Sequence, residues 1–139
     1  MCIRDSARTE WELPAGSVYT SHAGAIGQIL SATPTTAALQ SNQAGAVDLY
    51  STSALTSALT LEDNPQVLAV AVTAYAKKGD LDDRHLGLAL GSDGEVSAEV
   101  SRSLEMDYRF HQAVWEQQPD GSAWGNWPLS SLQFGIVTR

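Results

Sequence analysis

Three aspartates crowd the segment GDLDDR, residues 79–84: Asp80, Asp82 and Asp83. Carboxylate oxygens at that density are the hard ligands that calcium takes, but an EF-hand loop continues with further ligands and closes on a glutamate at fixed spacing. Here Arg84 and His85 follow instead, so a solvated turn is the expectation. The histidines His22, His85 and His111 are scattered, with no His-x-x-x-His spacing to hold zinc. His111 alternates with Arg109, and a satisfied surface or edge histidine is expected there. Glu99, Glu105, Asp107 and Glu116 are the carboxylates a glycosidase would draw on, and such an enzyme is defined by a separation that spacing alone does not fix. "GSDG" at 91–94 lacks the Gly-x-Ser-x-Gly form of a nucleophile elbow. Neither a glycine-rich phosphate loop nor a basic, aromatic nucleic-acid face is present. The chain therefore reads as non-enzymatic, with no catalytic residue, no metal site and no cofactor.

The tryptophans are the remaining candidates. Trp115, Trp124 and Trp127 all lie within WEQQPDGSAWGNWPL, residues 115–129. Trp127, in a Gly/Asn loop, is the ligand-binding candidate, placed to stack on a sugar ring. Trp115 and Trp124 are expected in the core, the second folded back by the PDGSAW loop over an open end of the fold. Tyr108, Phe110, Leu132 and Phe134 are assigned to the same core.

The elements that would hold these residues are strands. VLAVAVTAYAKK, residues 67–78, is apolar on both alternating faces, which predicts a central strand. Helix competes, since alanine favours it, but the β-branched Val67, Val70, Val72 and Thr73 tip the balance to strand. HLGLAL turns Leu86, Leu88 and Leu90 one way, and the Asp93-Gly94 pair after it is a strong hairpin signal. The return strand EVSAEVSRSL places Val96, Ala98 and Val100 inward. In DYRFHQAVWEQ the apolar face switches near Gln112, from Tyr108 and Phe110 to Ala113 and Trp115, which predicts a β-bulge. SLQFGIVT and AVDLYS (residues 46–51) add two more strands. In the N-terminal part, AGAIGQIL fits either an irregular strand or one helical turn. Short strands, Gly/Asp turns and no βαβ rhythm give an all-β fold, an antiparallel β-sandwich that is jelly-roll-like.

Bulk properties narrow the partners. The net charge is −8, which argues against nucleic acid and anionic membranes. The longest apolar run, near residues 68–76, is too short to span a bilayer as a helix. MCIRDS, residues 1–6, resembles a translated sequencing adaptor, so it is excluded from the fold, and with it goes Cys2, the one cysteine. On that basis residues 7–45 form a partly irregular N-terminal segment whose true start is missing. Residues 46–139 form the sandwich core of the same single domain.

AVDLYSTSALT, then LEDNPQVLAVAVTAYAKKGD, then SLEMDYRFHQAVWEQQPDGSAW and PLSSLQFGIVTR together resemble a group of bacteriophage virion proteins. The matching positions include Asp48, Leu49, Tyr50, Lys77, Leu104, Tyr108, Trp115, Pro119, Trp124, Leu132, Gln133, Gly135 and Ile136, within about residues 46–139. WGNWPL stands where the group has a simpler loop. The resemblance implies a structural virion component, a tail or head-accessory protein. It would act as a homo-oligomer among other virion proteins, without nucleic acid or membrane. The alternative is a carbohydrate-binding module on a tail or fibre, with glycans as partners and exposed aromatics as its site.

Overall fold

A computed structural model describes residues 3–13, 39–52, 66–125 and 131–139. Seven strands carry these residues: β1 (Ile3–Thr9), β2 (Val47–Thr52), β3 (Val70–Ala76), β4 (His85–Ser92), β5 (Glu95–Ser103), β6 (Arg109–Trp115) and β7 (Gln133–Thr138). No α-helix occurs among the described residues. The fold is all-β, with a five-stranded sheet ordered β1-β2-β7-β4-β5 and a two-stranded sheet β3-β6. Every pairing is antiparallel.

The pairings nest. β4 pairs with β5, β3 with β6 and β2 with β7, and β7 also pairs with β4. The two sheets are the layers of an antiparallel, sandwich-like all-β fold. The tip of the β4–β5 hairpin is the Asp93-Gly94 turn, where both residues adopt positive φ, 52° and 82°. Those values match the right-handed twist of the flanking strands. Gly94 N–H also donates to the side-chain oxygen of Gln133 on β7, at 2.8 Å.

Leu86, Leu88 and Leu90 of β4 face the two-stranded layer and are buried with Val72, Ala113, Trp124 and Leu132. Ala98 and Val100 of β5, and Phe134 and Ile136 of β7, close around them. The opposite face of the five-stranded sheet is buried too, at Val47, Leu49, Ala89 and Val137. β7 lies so close to β2 that a Cβ on Gly135 would come within 1.9 Å of the Asp48 carbonyl oxygen. Only glycine fits that position.

Several sequence expectations change. β3 is not central: among the described residues it pairs with β6 alone. Its second apolar face is exposed at Ala71 rather than buried. No bulge interrupts β6, since the pairing with β3 runs unbroken from Val70↔Trp115 to Ala76↔Arg109. The bulge sits in β5, where Leu90 pairs with Ala98 but Gly91 with Val96, leaving Ser97 as the extra residue. That switch sends Val96 to the opposite face, against the cluster of Val47, Leu49, Ala89 and Val137, rather than inward with Ala98. Residues 1–6 were excluded from the fold, yet Ile3, Asp5 and Ser6 pair with β2, through two register irregularities. Backbone pairing needs no particular side chain, so any extended chain leading into Arg8 can complete the β2 edge.

Candidate functional site

Alternation along β3 and β6 sorts their side chains onto two faces. Val72 and Ala113 turn inward and are buried. Ala71, Thr73 and Tyr75 turn outward, opposite Val114, Gln112 and Phe110 respectively. Phe110 is 66% exposed and Val114 53%. Tyr75 packs against two rings: its centroid lies 4.6 Å from that of Phe110 and 5.1 Å from that of Tyr108. The Lys77 ammonium sits over the Tyr108 ring, 5.1 Å from its centroid, in a cation–π contact. Beside the rings, Gln112 Nε2 donates to Thr73 Oγ1 at 3.0 Å. Arg102 of β5 reaches across from the other sheet, and its guanidinium donates twice to the Gln112 carbonyl, at 3.1 and 3.0 Å. An aromatic, largely apolar face thus stands in solvent on a two-stranded support.

Phe110 therefore belongs on this outer face and not in the core; with no bulge at Gln112, alternation carries it away from Ala113 and Trp115. Tyr108 is half-buried beside it, and burial raises its phenol pKa. Trp124 is 2% exposed and Leu132 4%, while Trp115 and Phe134 are half-buried against the core. The Trp124 indole N–H donates to the Trp115 carbonyl at 2.8 Å, so its polar atom is satisfied inside. The PDGSAW loop that carries it is closed by Gln118 N–H to Ser122 O and by Ser122 N–H and hydroxyl to Asp120 Oδ1. Those Ser122 bonds hold the Asp120 carboxyl below the usual carboxylate range. Trp127 and His22 lie outside the described residues.

The polar candidates are mostly spoken for. Arg84 donates to Asp80 at 2.8 Å and to Asp82 at 3.2 Å, and the Arg84 bond holds the Asp80 carboxyl low. His85 lies 3.3 Å from Asp83. Glu105 holds Arg109 at 3.1 Å, and Glu99 pairs with Arg139, while Asp107 and Glu116 are exposed. Among the described residues no group of three His, Cys, Asp or Glu side chains could hold a metal. His111 is not the satisfied histidine expected: its Nε2 is buried without a hydrogen-bond partner among the described residues. A cleft beside Trp11, Lys78, Arg84 and Arg139 holds only about 80 Å3, too little for a sugar residue with its contacts.

One buried polar group is structural. Asp48 is fully buried and accepts from Glu10 N–H at 2.6 Å, Trp11 N–H at 2.9 Å and the Tyr50 hydroxyl at 2.7 Å. Glu10 returns the favour by accepting from Val47 N–H at 2.8 Å, and that bond, with Arg8, keeps its carboxyl below the usual range. Together these bonds lock the segment after β1 to β2. Comparison with protein-family models, curated proteins and solved structures gives no match. Sequence alone assigns Tyr108 and Phe110 to the core and so does not reveal this aromatic face. The signal for it was the apolar residues on both alternations of residues 108–115.

Proposed function

We propose that the chain is a non-enzymatic structural component of a phage particle, a tail or head-accessory protein that assembles through the faces of its sandwich. The observation that carries the assembly reading is the outer face of β3 and β6, with Phe110 and Val114 in solvent. A contiguous apolar face on a small domain marks an interaction surface. The resemblance to virion proteins supports the setting, and its positions Tyr50, Trp124, Leu132 and Gly135 are packing residues of this fold rather than reactive ones. Mass spectrometry of purified particles tests the reading. The expected result is the chain present in many copies per particle, and its absence from particles would overturn the assignment.

The carbohydrate-binding alternative rests first on Trp127, which lies outside the described residues, and then on exposed aromatics such as Phe110. Sugar stacking needs an open ring face; Tyr75 packs against both Phe110 and Tyr108, and Tyr108 carries Lys77, which leaves Phe110 as the open ring of this face.

A further inference from the structure

We infer, building on that structural reading, that two copies of this chain pair face to face through the outer side of β3 and β6. The two-fold axis would lie between the copies and cross the strands at Thr73 and Gln112. Along the ribbon the face has two unlike halves. One half carries Tyr75, Phe110 and Tyr108; the other carries the small Ala71 and the branched Val114. A two-fold axis across the middle reverses strand direction in the second copy, so each aromatic half lands on the other copy's small half. Large side chains then meet smaller ones twice, in the self-complementary manner of an isologous interface.

The middle and the ends fit the same arrangement. Thr73 and Gln112, at the axis, hydrogen-bond to each other at 3.0 Å, and the free Gln112 Oε1 and second amide hydrogen would meet the same groups of the partner's Gln112 across the axis. Lys77 marks the aromatic end of the ribbon, and the exposed Glu116, next after β6, marks the small end. The axis brings Lys77 beside the partner's Glu116 at both ends, a charge match that a chain of net charge −8 needs wherever two copies meet. Pairing by face is also favoured over pairing by the β6 edge, because Arg102 occupies the Gln112 carbonyl on that edge.

The ribbon is roughly 23 Å long and about 10 Å wide, well below a standard interface, so the contact is weak alone and gains strength when copies are arrayed. Sedimentation equilibrium from about 20 μM to about 1 mM reads it directly. The expected result is a monomer–dimer transition in that range. Phe110→Ser, at an exposed position, should abolish the dimer while the chain still folds, its melting temperature lowered only by the lost contact with Tyr75. Lys77→Glu and Glu116→Lys should each weaken the dimer about tenfold, and the two together should restore it, because the reversed charges face each other again. A wild-type chain that stays monomeric at the top concentration overturns the inference. So does a dimer that persists in Phe110→Ser, or a double variant no better than the singles. Quenching of tyrosine fluorescence by oligosaccharides, abolished in Phe110→Ser, would assign the face to sugars instead. None of these outcomes bears on whether the chain is found in particles, which tests the parent reading separately.

Discussion

Trp124 and Trp115 share one hydrogen bond but differ in burial, and their variants should differ accordingly. Trp124 is 2% exposed, so Trp124→Ala should cost about 3–5 kcal/mol, the range for large aromatic truncations in cores. Trp115 is only half-buried, and Trp115→Ala should cost less, since part of its surface already meets water. Urea unfolding of the two variants measures both, and equal losses would contradict the placement. Tyr50 and Glu10 set the pH limits. Burial, and then Asp48, raise the Tyr50 phenol pKa far above its usual 10.0. A raised folded pKa gives stability that is full below the unfolded value and declines as pH climbs past it, so alkaline destabilisation should begin above about pH 10. Glu10 is depressed below 4.5 by Val47 and Arg8, so its contribution is present above that pH and lost on further acidification. Melting temperatures from acid to alkali should show a plateau between these limits. Tyr50→Phe should remove much of the alkaline fall while costing about 1.5–3 kcal/mol for the lost bond to Asp48.

Strands and turns were the most legible elements. Alternating leucines placed β4, and Asp93-Gly94 placed the turn, because both signals are local and depend on few competing forces. The bulge was put in the wrong strand: an apolar switch at Gln112 looks identical whether a residue is inserted or the outer face is itself apolar. The real insertion at Ser97 leaves no such mark, since Val96 finds a second buried face to occupy. Element contacts make two contrasting predictions. Gly135→Ala forces a Cβ into the Asp48 carbonyl and should cost about 3 kcal/mol by overpacking, read by denaturant midpoint. Gly79→Ala meets nothing within 4 Å and should be neutral or slightly stabilising. Removing residues 1–6 should shift stability by ~1 kcal/mol or less, because edge pairing frays readily, whereas the Asp48 bonds to Glu10 and Trp11 remain. A large loss would give those six residues a structural role beyond backbone pairing.

The described residues form a lopsided sandwich of five strands against two, an asymmetry that alternation does not encode. Period-two alternation says which residues share a face, but not how many strands flank it: among the described residues β3 has β6 as its one strand partner. The site suffered from the same gap: Trp124 was recognisable as a plug by its loop chemistry, while Phe110 required knowledge of what lies opposite. The nested pairing has its own outcome for how the chain reaches this state. The β4–β5 hairpin closes between near neighbours, but Val47 must wait for Val137, and β7 fills the gap between β2 and β4. Until β7 arrives, two apolar strands stand with bare edges toward each other and invite the wrong neighbour. Crowded synthesis of many copies would therefore reward whatever shortens that wait, and mistakes of assembly should begin as strand exchange at the vacancy β7 is meant to fill.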